Sequence, residues 1–155
     1  MNLKRLIISL ILPQLAGAAG ALFTAPAIPT WYAALQKPAF SPPNWLFGPV
    51  WLILYLLMGI AVYLIWQKIT ENDKVKTALW LFWLHLFFNA AWSPVFFGLK
   101  NPGLALINIF IIWIFIILLL IKFWKINKLS SYLLVPYLLW VSFATLLNYS
   151  IWQLN

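Results

Sequence analysis

The stretch 31–55, WYAALQKPAFSPPNWLFGPVWLILY, has two halves that behave differently. In the first, Pro38, Pro42 and Pro43 remove backbone donors and push Lys37, Ser41 and Pro42 towards extended conformations. A regular helix is excluded there. The second half runs into an apolar segment that carries Trp45, Trp51 and Tyr55. The composition predicts an ordered, proline-braced loop leading into a hydrophobic helix. A mere tether has no need of so many aromatic rings, so the loop reads as the lid or rim of an enclosed space.

Outward from this stretch, charges cut the chain into spans. Of 155 residues, 65% are hydrophobic and 8% charged, whereas a soluble domain carries roughly a quarter charged. No charge falls between Arg5 and Lys37, Lys37 and Lys68, Lys76 and Lys100, or Lys100 and Lys122, nor from Leu129 onward. Each interval holds the roughly 20 apolar residues that cross a bilayer. The predicted fold is an all-α integral membrane protein, a bundle of five transmembrane helices in one domain. The helices are expected over 3–23, 45–67, 78–98, 104–123 and 129–152, with a structured loop over 24–44. Lys4 and Arg5 ahead of an apolar run imitate a secretory leader. Cleavage near Ala21 would sever the loop from its helix, so the segment is expected to stay as the first span.

The net charge of +8 is spread over the span boundaries, which excludes a nucleic-acid patch and makes it an orientation signal. Lys4, Arg5, Lys68, Lys74, Lys76, Lys122, Lys125 and Lys128 fall on one side, leaving Lys37 and Lys100 on the other. The N-terminus is therefore predicted inside and the C-terminus outside, with the lid loop outside. The two acids, Glu71 and Asp73, sit with Asn72 in what reads as a solvated turn. No acid lies within a span, which removes the carboxylates of proton-coupled pumps and the acids of membrane hydrolases. Without cysteine there are no thiolate ligands, thiol nucleophiles or disulfides. His85 is the only histidine and has no acidic neighbour, so neither a metal cluster nor a triad can be assembled. It reads as a satisfied interior histidine, with proton relay or porphyrin-iron ligation as the alternative. No conventional catalytic constellation and no metal ligand set is assigned.

The helix faces carry the rest. In the first span, Ala16/Gly20 and Gly17/Ala21 have the small-xxx-small spacing of closely packed helices. The reading is tight internal packing, with a dimer seam as the alternative and with room left for a ligand. Gln14 is its one strongly polar side chain. In the second, Trp51, Tyr55, Met58 and Val62 share a face; in the third, His85, Asn89, Trp92 and Phe96 do, ahead of a kink expected at Pro94. The fourth, IFIIWIFIILLLI at 109–121, is apolar all round and reads as lipid-facing, with Asn108 the exception. In the fifth, Trp140, Ala144, Leu147, Asn148 and Ile151 share a face, one turn after Pro136 and Tyr137. Asn89 could serve only to bond a neighbouring helix. Yet three aromatic-plus-amide faces together predict an aromatic cavity under the lid, suited to a flat, conjugated or sterol-like apolar ligand.

Four blocks carry a resemblance: WYAALQKP at 31–38, PPNWLFGPVW at 42–51, NAAWSPVFFG at 89–98 and PYLLWVSFATLLNYSIW at 136–152. In this order, with five spans, the chain resembles the TspO/MBR family of tryptophan-rich sensory proteins, translocator proteins and peripheral benzodiazepine receptors. The resemblance implies a compact, usually homodimeric bundle in a bacterial cell membrane or outer mitochondrial membrane; for this chain the bacterial membrane is expected. It also implies binding of porphyrins such as protoporphyrin IX and haem, of sterols in animals, and of benzodiazepine-like drugs, with no cofactor required. Family pocket positions fall on Ala21, Tyr32, Phe47, Gly48, Trp51, Asn89, Trp92, Leu104, Trp140, Ala144 and Leu147; Asn148 joins them by spacing. Phe40 stands where members often have Trp. Ser150 and Gln153 replace the Tyr and Arg of the proposed cholesterol motif, and bulky Trp80 to Leu84 replaces a small-residue seam. A looser sterol pattern at Leu57, Tyr63 and Lys68 is weak.

The expected function is that of a receptor or transporter-like protein for tetrapyrroles. Trp51 and Trp140 would stack on the ring, Asn89 and Asn148 would orient polar substituents, and Lys37 could reach a propionate. The alternatives are light- and oxygen-dependent porphyrin breakdown, with Trp51 and Trp140 as the acting residues, or ligand-dependent stress signalling through partners.

Overall fold

The computed structural model describes residues 2–69 and 73–155. Among these, helices α1 (Leu3–Ala27), α3 (Asn44–Trp66), α4 (Asp73–Ser93), α5 (Pro102–Ile126) and α6 (Lys128–Leu154) are the long elements, and α2 (Trp31–Ala34) is a single turn in the lid. Five segments, α4 counted with its extension to Gly98, are long and apolar enough to cross a membrane.

Four of the five spans run longer than the sequence predicts, and α3 keeps the expected length, one residue earlier. The first continues through Pro26 to Ala27, which shortens the irregular part of the lid. Pro13, Pro26, Pro49 and Pro136 all lie inside helices. Hydrocarbon offers no water to an opened backbone, so the helix persists around each missing donor. The third span starts at Asp73 rather than at 78, with Asp73 in its first turn. There the carboxylate faces the positive end of the helix dipole and pairs with Lys76 at 2.9 Å. The turn expected around Glu71 and Asn72 lies outside the described residues. The basic loop expected over Lys122–Lys128 shrinks to Asn127, which ends α5 and caps α6 by accepting the Ser130 N–H. Asn101 likewise accepts the Leu104 N–H to open α5, beside Pro102 at a position where no backbone donor is needed.

The kink expected at Pro94 takes a particular form. α4 passes into a π-helical turn over Pro94–Gly98, closed by the Leu99 N–H donating to the Pro94 carbonyl at 2.9 Å. Lys100 follows with φ 53°, the left-handed residue that reverses the chain into α5.

The spans form a ring in the order α1, α3, α6, α5, α4, closed by α4 against α1. The end away from the lid is solid. Met58, Val62 and Ile65 of α3 meet Ala78 and Phe82 of α4 and Ile116 and Phe123 of α5, all fully buried. Gly59 lets α1 approach there: a Cβ on it would lie 2.7 Å from the Ser9 carbonyl oxygen. At the lid end a second cluster gathers Ala27, Tyr32, Phe96, Phe97, Ala105, Leu147 and Ile151. The lid is held down by Trp31, edge-on to Phe96 at 5.6 Å, and by Tyr32, edge-on to Phe97 at 5.6 Å. Phe40 packs edge-on against Phe143, so the ring exchanged at that position keeps an aromatic contact.

The lid is also tied to the far end of the chain. The Asn155 side chain accepts the Gln36 N–H and donates to the Gln36 carbonyl, both at 3.0 Å. Exposed hydrogen bonds of this kind contribute about 0.5–1.5 kcal/mol. Asn155→Ala is expected to speed hydrogen exchange of the Gln36 amide by about tenfold, the equivalent of about 1.4 kcal/mol. An unchanged rate would show that the lid is held by its rings alone.

Candidate functional site: a lid-covered aromatic cavity

Between the solid half and the lid lies a cavity of about 530 Å³, within the span of about 300–1,000 Å³ usual for small-molecule sites. Its existence follows from side-chain size. α1 offers Ala16, Gly17, Gly20 and Ala21, while the facing helices hold their rings back against one another. Trp51 stacks on Tyr55 (5.4 Å between centroids, 29°), Trp92 stacks on Phe96 (4.9 Å, 22°), and Phe47 meets Trp140 edge-on (5.9 Å). Among the described residues, no charged side chain lines the space.

The structure brings eleven of the twelve sequence-predicted positions to this one wall: Ala21, Tyr32, Phe47, Gly48, Trp51, Asn89, Trp92, Trp140, Ala144, Leu147 and Asn148. Leu104 is the exception. In the first turn of α5 it is 44% exposed and does not line the cavity, because Ala105 and Leu106 are the neighbours that turn inward. Lys37 is not in the wall either; its ammonium lies 4.6 Å from the centre of the Tyr32 ring and donates to the Leu35 carbonyl. Burial under the lid pushes the Tyr32 phenol above its ordinary pKa.

The two amides serve the wall more than the space. The Tyr55 hydroxyl donates to Asn89 Oδ1 and Asn89 Nδ2 donates to the Tyr137 oxygen, both at 2.7 Å. His85 Nε2 lies 2.8 Å from that same Tyr137 oxygen. Asn148 accepts the Trp92 indole N–H at 3.2 Å and donates to the Pro102 carbonyl at 2.8 Å. Each amide spends a donor and an acceptor on neighbouring helices, fixing Tyr55, Tyr137 and Trp92 in place, while both still line the cavity. His85 is the interior histidine expected, fully buried against Tyr137, but only half satisfied: Nε2 has Tyr137, and Nδ1 has no hydrogen-bond partner.

Sequence reasoning overlooked Ser93 and Phe97 in the wall and Tyr137 as the hub joining His85 to Asn89. Phe97 stands eight residues after Asn89, at the edge of the face that gives Phe96, and the π turn brings both rings inward. Tyr137 had a signal too: it stands seven residues before Ala144 and eleven before Asn148 on the same face.

The cavity does not open through the lid. The lining residues left exposed, Ala18, Ala21, Asn44, Gly48 and Leu52, all belong to α1 and the first turns of α3. A Cβ on Gly48 would meet nothing within 4 Å. The mouth is therefore a lateral slit between these two helices. Below it, Gln14 reaches from α1 to α3 to donate to the Leu52 carbonyl at 3.2 Å.

Five apolar spans around an aromatic, laterally open cavity define a polytopic membrane protein. The TspO/MBR family model matches residues 9–153, and the chain belongs to that family. It is an integral, multi-pass membrane protein. It is 44% identical to the tryptophan-rich protein TspO of Archaeoglobus fulgidus, over 100% of this chain and 99% of that one. It is 34% identical to protein CrtK of Rhodobacter capsulatus, over 100% and 95%, and 39% identical to the translocator protein of Homo sapiens, over 81% and 75%.

Proposed function

We propose that this protein binds a tetrapyrrole such as protoporphyrin IX in the cavity and acts as a membrane receptor or carrier for it. The observation that carries the reading is the wall itself: indoles at Trp51, Trp92 and Trp140 around a space of about 530 Å³ free of charged lining. A flat, conjugated ring gains from such walls by burial and by stacking, while its carboxylates must stay outside. The lid supplies Lys37 for one of them, held over Tyr32 at the rim. The lateral mouth suits a ligand that arrives dissolved in the bilayer. In the proposed orientation, with the N-terminus inside, the lid and mouth belong to the outer leaflet.

Each aromatic contact contributes about 0.5–1.5 kcal/mol beyond area burial. Titration of the purified protein with protoporphyrin IX is expected to quench tryptophan fluorescence saturably. Trp51→Ala and Trp140→Ala are each expected to weaken binding by about tenfold, equivalent to about 1.4 kcal/mol. Unchanged affinity in both variants would place the ligand elsewhere.

A further inference from the structure

Tyr55, Asn89, Tyr137 and His85 form a line of hydrogen bonds that leaves the cavity wall and enters the solid half of the bundle. Asn89 Nδ2 donates to the Tyr137 oxygen, and in the imidazole tautomer that carries its hydrogen on Nδ1 the hydrogen of that phenol points at His85 Nε2, 2.8 Å away. Tyr137 and His85 are buried to 1% and 0% exposure. On its other side the Tyr137 ring lies edge-on to Trp51, with centroids 6.2 Å apart, and Trp51 lines the cavity. An indole thus touches a phenol whose proton has a base in place to receive it. A phenol gives up an electron with difficulty while it must keep its proton, because its radical cation is a strong acid; with an imidazole in line, electron and proton leave together.

We propose that Trp51, Tyr137 and His85 form a hole relay that carries an oxidising equivalent from the cavity wall to a buried tyrosyl radical. The oxidant is a light-excited conjugated macrocycle in the cavity; that part rests on the tetrapyrrole reading, whereas the relay rests on the three side chains. The excited ring takes one electron from Trp51, giving a ring radical anion and an indole radical cation. Tyr137 then gives one electron to Trp51 as its phenolic proton passes to His85 Nε2. The indole is restored, Tyr137 is a neutral radical and His85 an imidazolium. The buried positive charge moves from one ring to another and does not grow. When the reduced macrocycle returns its electron to Tyr137 and Nε2 returns the proton, every group is restored and no co-reactant is consumed. The relay keeps the indole from lingering as a reactive radical cation.

The test uses the full chain in detergent, in two arms. In the first, protoporphyrin IX is added, its binding is followed by absorbance, and the illuminated sample is frozen for electron paramagnetic resonance. In the second, without ligand, azide radicals made by pulse radiolysis oxidise indoles, and growth of tyrosyl absorbance is timed. The expected results are a tyrosyl signal that narrows with ring-deuterated tyrosine, slower tyrosyl growth in D2O, and loss of the relay component in Tyr137→Phe, with tryptophan radical in its place. His85→Gln, which accepts a hydrogen bond but holds no proton, is expected to lower the yield as well. Wild-type tyrosyl growth that is absent or indifferent to D2O overturns the relay, as does growth unaltered by both substitutions. If protoporphyrin IX fails to bind while the ligand-free arm behaves as expected, the relay stands and the ligand reading falls. If the ring binds and the ligand-free arm fails, the relay falls alone.

Discussion

Gly59→Leu is expected to abolish the folded bundle, whereas Gly48→Leu, eleven residues earlier on the same face of α3, is expected to fold and lose its ligand. The difference lies in what each glycine faces. At Gly59, even a Cβ would stand 2.7 Å from the Ser9 carbonyl oxygen and 3.0 Å from the Leu10 Cα. Both are backbone atoms, so no rotamer change relieves the clash and α1 itself must move. Overpacking costs about 1–3 kcal/mol even where side chains can shift, and a whole leucine against a helix backbone exceeds that. At Gly48 nothing stands within 4 Å, and leucine also favours a helix over glycine by several tenths of a kcal/mol. Its side chain would lie across the mouth. Thermal unfolding in detergent, followed by size-exclusion chromatography, separates the two. Gly48→Leu is expected to hold the wild-type midpoint while its protoporphyrin IX affinity falls by at least about tenfold. Equal loss of stability at both positions would mean that α1 and α3 do not diverge as described.

The second large effect is expected at Asn89. Asn89→Leu strands the Tyr55 hydroxyl and removes the donor that orients Tyr137. A buried polar group left without its partner costs about 1–3 kcal/mol. Tyr55→Phe strands only one of two carbonyl lone pairs on Asn89, and single hydrogen bonds between membrane helices average about 0.6 kcal/mol. The expected order of destabilisation is therefore Asn89→Leu well above Tyr55→Phe. Equilibrium unfolding in mixed micelles would measure both. Should the two variants prove equally stable, the amide would be a bystander to the phenols.

Most of the fold was legible because charges are scarce enough for their positions alone to mark out the spans. Helix ends were less legible. Proline reads as a breaker in water, yet Pro26 sits inside a helix that the bilayer gives no reason to open. The wall was readable where a 3.6-residue period held, which is why Trp51, Asn89, Trp92, Trp140, Ala144 and Asn148 emerged from spacing. The hub at Tyr137 was hidden for another reason. Periodicity says which residues share a face, and only packing between α4 and α6 decides that a tyrosine and a histidine fifty-two positions apart meet in a hydrogen bond. The lateral mouth was invisible too, since a gap between helices is defined by what is missing from both.

The π turn at Pro94–Gly98 sets a limit on chain length as well as on composition. A wide turn holds one residue more than an α-helical one, and here the surplus lets both Phe96 and Phe97 face inward, at 2% and 9% exposure. Loss of a single residue from this turn would leave a sound α-helix in its place. It would also rotate everything beyond it by about a hundred degrees, taking one phenylalanine out from under Trp31 and Tyr32. Among related chains, the segment between Asn89 and Pro102 should thus tolerate exchanges of side chain far more readily than insertions or deletions.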